Sequence, residues 1–309
     1  YYYDLLKNLA TLEEEIKKHP EWAISHFEDY EPADLRKHAE EVRAYGRKRF
    51  WNETTQRYGT VDLDGVMHDY GFTFLNNEAV HFDFATKDQE KLIRSWLDGK
   101  RIVKGDTSKG ADIYYWRFGP RSSTKRNLDY YVWSWFTPEE IAFGDQVQDG
   151  GGILAWSYYD LMARIKTEGP DQAIPLLKEI LTWFEETQAE GGFRSYYKKG
   201  AGRGNLQGGN VAGGIGVDME FYESILVPQV MLYGFVGFNP TVEGFTIDPN
   251  LPSDWPELTI TKIHLHDFIF DIKVTKDKNI VLTGTGPADE VLQVKAPEGF
   301  KVTKKFTSK

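Results

Sequence analysis

A chain of 309 residues with a formal net charge of -10, no cysteine and 15% aromatic side chains is long enough for one large domain and a small one. The acidic balance argues against a nucleic-acid partner, which wants a basic face. The missing cysteines exclude disulfides, cysteine nucleophiles and cysteine metal sites, and leave the compartment open. No apolar run reaches membrane-spanning length, so the chain is read as soluble. It opens on a tyrosine with no signal-peptide pattern, as expected of a trimmed chain or a piece of a longer one.

Tyr1 to Lys18 sets Leu5, Leu9, Leu12 and Ile16 at helical spacing and predicts an amphipathic helix, one that begins without a cap. Ala33 to Trp51 predicts a second, with Leu35, Ala39, Val42 and Phe50 on its apolar side and Pro32 as its opening. The string WNETTQRYGTVDLDGVMHDYGF then reads as a loop of turn formers and aromatics. Thr73 to Ala85 is mostly apolar and predicts an inner helix, whereas Lys87 to Leu97 is polar and predicts an outer one. Gly99 to Gly152 is a long insertion with few periodic signals. Loops of that length are commonly functional, and this one holds Trp116, Arg117, Trp133 and Trp135.

Ile153 to Ile165 predicts another inner helix entered through a glycine turn, and Asp171 to Gln188 another amphipathic one. A glycine-rich loop bearing Arg194 and Tyr196 leads to Ile225–Phe238, which is apolar on every side and predicts a helix buried all round. That run spans only roughly 20 Å, too short to cross a membrane. From Asn239 the composition changes. Pro240, Pro249, Pro252 and Pro256 precede the alternating runs LTITKIHL, FIFDIKV, NIVLTG, EVLQVKA and FKVTKKF, which predict a small antiparallel β-domain. Residues 1–239 are thus set apart as helical and 240–309 as β.

Three predicted inner helices follow loops rich in carboxylates: Asp62, Asp64 and Asp69 before the first, Asp145 and Asp149 before the second, Asp218 and Glu220 before the third. With the inner helices parallel, these loops gather at one end as an acidic, aromatic-lined funnel. Carboxylates in such a place are costly unless they have partners or a job. Each has a plainer reading beside it. Asp149, Asp218 and Glu220 are also ordinary helix caps, and Glu223, about a turn into its helix, is also a buried partner for Arg194. The DLDG string is common turn chemistry. That string lacks the full loop of ligands calcium needs, and His68 has no cysteine or second histidine close by, so no metal is expected. Trp116, Trp133, Trp135 and Trp156 suit sugar faces or a core, Trp156 the core. Arg117 and Arg121 suit an anionic sugar or the neighbouring acids.

The string YGFVGFNPTVEGFTIDPNLPSDWPELTITKI resembles the junction of six-hairpin glycosidases, where the last inner helix of an (α/α)6 barrel enters a C-terminal β-domain. The segments FWNETTQRYGTVDLDGVMHDYGFTFLNNEAVHFDFA and FGDQVQDGGGILAW are similar to a middle hairpin and a glycine-rich helix entry of the same family, so the resemblance spans roughly residues 33–270. It implies a mainly α, toroid-type fold of helical hairpins followed by a small antiparallel β-domain. Such a barrel needs twelve helices and the sequence predicts about seven, so the resemblance implies the C-terminal half of a barrel, with the remainder expected on a missing N-terminal part or a separate chain.

The implied activity is hydrolysis of an oligo- or polysaccharide, with no cofactor. Inversion needs a general acid and a general base about 6.5 to 9.5 Å apart. By position the resemblance assigns the base to Asp218, Glu220 or Glu223 and leaves the acid upstream of Tyr1. Asp64, His68, Asp69, Trp116, Arg117, Gln148, Asp149, Arg194 and Tyr196 are the expected substrate contacts. The alternatives are a glycoside phosphorylase, whose phosphate-holding His and Ser are not evident in GGNVAGGIG, and a non-catalytic carbohydrate-binding or structural fragment.

Overall fold

The computed structural model describes residues 1–27, 30–128, 140, 142–144, 146–189 and 225–308. They fall into two compact units, residues 1–116 with 120–152 in the first and residues 117–119, 153–189 and 225–308 in the second. The architecture mixes α and β, with seven α-helices and several small sheets among the described residues. No described helix is long and apolar enough to cross a membrane.

In the first unit, α1 (Tyr2–Lys18) and α2 (Pro32–Arg49) form an antiparallel hairpin. Its direction is written in the cross-links: Lys17 to Glu31 at 2.5 Å, Arg36 to Glu14 at 2.6 Å and Arg43 to the Tyr3 hydroxyl at 3.0 Å. The hairpin core is Tyr3, Leu6 and Ala10 against Leu35 and Ala39. The predicted stripe on α1 is corrected here, because Leu5 and Leu12 are 59% and 54% exposed. Apolar residues lie on two faces of α1, and periodicity alone does not choose between them. The small Ala10 and Ala39, both fully buried, select the face on which the two helices approach.

The loop after α2 contains two short hairpins the sequence pattern did not announce: β1 (Trp51–Asn52) with β2 (Arg57–Tyr58), and β3 (Thr60–Val61) with β4 (Met67–His68). Helix α3 (Thr73–His81) follows, then α4 (Lys87–Leu97). Thr86 starts α4 with a capping box, its hydroxyl accepting from the Gln89 amide while the Gln89 side chain accepts from the Thr86 amide.

In the second unit, α5 (Ser157–Glu168) and α6 (Pro170–Ala189) pack as a hairpin turned at Gly169, whose φ of +88° suits glycine. The last predicted inner helix is α7 (Leu226–Gln229), continuing as a π-turn over Val230–Phe235. It is not buried all round: Ile225 and Tyr233 are 45% and 40% exposed, while Val230, Gly234 and Phe235 are buried. Gly234 lets Ile165 of α5 come close, since a Cβ there would lie 2.6 Å from the Ile165 side chain. The helix also ends short of Phe238. Gly237 takes φ +68° and β5 (Phe238–Thr241) begins at once.

Strand β5 pairs with β6 (Gly244–Ile247), and β10 (Gln293–Lys295) completes that three-stranded sheet. A four-stranded sheet runs β11 (Lys301–Ser308), β9 (Asn279–Gly286), β8 (Phe268–Thr275), β7 (Glu257–Leu265). Both sheets supply one core, with Phe245 and Ile247 from the first and Phe270, Ile272, Val274, Ile280 and Leu282 from the second. The Phe245 and Phe270 rings stack at 5.7 Å. The expected antiparallel sheet is corrected in two places, since β10 pairs with β6 in parallel and β11 with β9 in parallel. Between β9 and β11 the chain visits the other sheet through β10, and that crossover returns it in the direction of β9.

Gly237→Ala is expected to destabilise the second unit by at least about 1 kcal/mol, because an L side chain is disfavoured at positive φ and its Cβ would meet the Asp248 carbonyl. An unchanged thermal unfolding midpoint would contradict this account of the turn.

Candidate functional site

Two of the three carboxylate-bearing loops meet in the first unit. The segment 121–124 joins them by backbone hydrogen bonds, Thr73 N–H to Ser122 O at 3.0 Å and Ser122 N–H to Gly151 O at 2.7 Å. Phe72 and Ser123 form an antiparallel bridge, and Thr124 N–H donates to Gly71 O at 3.0 Å. The entry to α3, residues 121–124 and the glycine turn at 150–151 are therefore one connected layer. The third loop, with Asp218, Glu220, Glu223, Arg194 and Tyr196, lies outside the described residues, as do Trp133, Trp135 and Asp145.

Within this layer most of the carboxylates are held by guanidinium groups. Asp69 accepts from Arg57 Nε at 2.7 Å and from the Gly71 N–H at 2.9 Å on one oxygen, and from Asn52 and Thr55 on the other. Asp106 takes the other edge of Arg57 in a two-point contact of 2.6 and 2.8 Å and accepts from Thr124 Oγ1 at 2.7 Å. Arg57 is 1% exposed and its guanidinium lies 4.6 Å from the centre of the Trp96 ring. Burial alone would lower its pKa, but the hydrogen bonds of Asp106 and the charges of Asp69 and Asp106 outweigh burial and raise it.

Asp149 is fully buried, with Arg126 Nε at 2.9 Å and the Asn127 N–H at 2.7 Å. It does not cap the helix that follows, whose 3-10 opening starts after Ile153. Asp69 and Asp149, both expected as substrate contacts, each close an internal ion pair and are shielded from solvent. Trp116, expected to contact sugar or fill the core, is 4% exposed with Arg121 at 5.6 Å from its ring. In the second unit Arg117 binds Glu179 at 3.3 Å and Glu186 at 2.5 Å, and in the first Arg121 binds Asp112 at 3.2 Å, which is the neighbouring-acid reading of both arginines.

Among the described residues of the two carboxylate-bearing loops, Asp64 and Gln148 are exposed and the pair Asp62–His68 is partly exposed. Asp62 turns the β3–β4 hairpin by accepting the Val66 N–H at 2.8 Å, and its other carboxylate oxygen lies 2.9 Å from His68 Nε2. The His68 ring lies parallel to that of Tyr70 at 6.4 Å. Among the described residues no group of three or more His, Asp and Glu side chains is arranged to hold a metal ion. Arg57, Asp106, Thr124 and Arg126 were missed as organisers of this layer. The one signal for them was an excess of arginine in a segment otherwise read as a loop.

No family model matches the chain, and no curated protein matches it. Among solved structures, a GH78 family rhamnosidase of Bacillus sp. GL1 aligns over 90% of this chain with 12% identity and a TM-score of 0.47. A protein titled as a kojibiose phosphorylase, from the human microbiome, aligns over 46% with 18% identity and a TM-score of 0.26. The chain spans 24% of the first of these proteins and 15% of the second. Both scores are too low to establish a shared fold.

Asp106→Asn is expected to cost about 3–5 kcal/mol in urea unfolding, since it breaks a fully desolvated ion pair. Asp64→Asn should stay within about 0.5 kcal/mol, as an exposed substitution does. Equal midpoints for the two variants would refute the assignment of Asp106 as the organising partner.

Proposed function

We propose that this chain is part of a six-hairpin (α/α)6-barrel glycosidase and that the complete protein hydrolyses an oligo- or polysaccharide with inversion. The observation that supports this reading best is the junction between the last inner helix and the β-sandwich. There the string that resembles the family folds back onto the helix end. Asn250 N–H donates to Phe235 O at 2.8 Å, Asp248 N–H to Gly237 O at 3.0 Å, and the Trp255 ring lies 5.3 Å from Phe235. Ser253 N–H is accepted by Asp171 of α6 at 2.6 Å, so the LPSDW turn fastens the sandwich to the outer helix as well.

On this reading residues 1–239 belong to the barrel and 240–309 to its β-domain. A barrel of twelve helices takes further helices from elsewhere in the polypeptide or from a second chain. The base is one of Asp218, Glu220 and Glu223, with Glu220 our first choice, and the acid is contributed by a segment preceding Tyr1. Asp62, Asp64, His68 and Gln148 would rim the sugar site. The pairing of Asp69 and Asp149 with arginines favours this assignment indirectly, because a carboxylate committed to a guanidinium is a poor base.

The test uses the native polypeptide isolated from its source and a panel of oligosaccharides, with released sugar followed by NMR to read the anomer formed. Hydrolysis giving the inverted anomer, and loss of turnover by orders of magnitude in Glu220→Gln with sugar binding kept, is the expected result. Phosphate-dependent turnover would replace the hydrolase by a phosphorylase. Wild-type turnover in Glu220→Gln would remove Glu220 from the mechanism.

A further inference from the structure

Away from the carboxylate loops, the first unit has an open-sided pocket of about 370 Å³ lined by six aromatic rings, those of Tyr1, Tyr3, Phe50, Tyr58, Phe82 and Phe84. That volume is within the range of about 300–1,000 Å³ typical of small-molecule pockets. The rings brace one another. Phe84 meets Tyr3 at 6.2 Å and Tyr58 at 5.7 Å, both edge-on, and Tyr1 meets Phe82 at 5.6 Å. Their polar ends are occupied by neighbours outside the cavity. The Tyr58 hydroxyl donates to Gln89 at 2.6 Å, the Tyr3 hydroxyl accepts from Arg43, and Arg47 Nε binds the Phe84 carbonyl. Burial pushes the Tyr58 phenol well up, so it stays neutral. The walls are thus mostly apolar, and the buried Tyr3 and Tyr58 rings braced by Phe84 are set in advance, which lowers the ordering cost of binding.

Glu78 of α3 is the exception on this lining. One of its oxygens accepts from the Tyr1 hydroxyl at 2.8 Å, and the other makes no hydrogen bond among the described residues. Burial raises its pKa, and the Tyr1 hydrogen bond and the charge of the Tyr1 α-amino group oppose this only in part. We infer that the cavity binds a small, uncharged, ring-bearing alcohol, with the ring among the aromatic walls and the hydroxyl on Glu78. Its chemistry separates it from the sugar site proposed above, on which it does not rest. A sugar brings many hydroxyls to a wall with one partner, and each unpaired one is penalised. A cation is disfavoured by Lys7 and Arg43, which already lie 5.0 and 5.1 Å from the Tyr3 ring.

Calorimetric titration of the intact protein with p-cresol, and with toluene as its counterpart lacking the hydroxyl, tests the inference. The expected result is saturable one-site binding of p-cresol, about threefold to tenfold tighter than toluene, the range set by one hydrogen bond. Glu78→Leu should erase that preference while toluene still binds, and Leu75→Trp, which fills the cavity, should abolish both. If Leu75→Trp does not fold, Thr60→Trp, at another position of the lining, replaces it. Absence of saturable p-cresol binding to the wild type overturns the inference. So does a preference that survives Glu78→Leu, or binding that survives a folded cavity-filled variant.

Discussion

A single guanidinium, that of Arg57, holds the loop layer of the first unit together. An unpaired charge buried to that degree would cost several kcal/mol, and here two carboxylates and an aromatic face replace the lost water. Two acids on one base would leave a net negative charge, which the donors Asn52, Thr55, Thr124 and the Gly71 N–H spread and stabilise. Through these bonds the β1–β2 hairpin, the turn before α3, residues 106 and 124, and α4 by way of Trp96 have one consistent arrangement. Gly71 belongs to the same constraint. Its φ is +64°, and a side chain there would run into Thr124 and Arg57.

That constraint also sorts the acids by role. Asp69, Asp106 and Asp149 are anchored by arginines and set the shape of the loops. Asp64 and Gln148 are exposed and Asp62 and His68 partly exposed, so none of these four is shut away from solvent as the anchored acids are.

The second unit depends on a different kind of contact. Its sandwich core is aromatic and aliphatic, and Val236 with the partly buried Leu232 carries that core into the end of the last helix. The turn at Gly237 and the Trp255 ring against Phe235 make helix end and sandwich one packed body. A π-turn widens the helix just where Gly234 meets α5, so close packing there takes the place of a regular last turn.

Helix placement was legible from the sequence because it follows local spacing. The predicted segments Thr73–Ala85, Lys87–Leu97 and Asp171–Gln188 appear as Thr73–His81, Lys87–Leu97 and Pro170–Ala189. The strands LTITKIHL, FIFDIKV and NIVLTG were legible for the same reason, since alternation marks one inner face. Tertiary structure alone decided which of two apolar faces of α1 is buried, which strands pair in parallel, and which carboxylates are bound to arginines. Each of these depends on a partner remote in sequence: Ala39 for Ala10, β9 for β11, Asp106 for Arg57 at a separation of 49 residues. Spacing along the chain records a residue's own periodicity, whereas the identity of its neighbour is fixed only when the chain closes on itself.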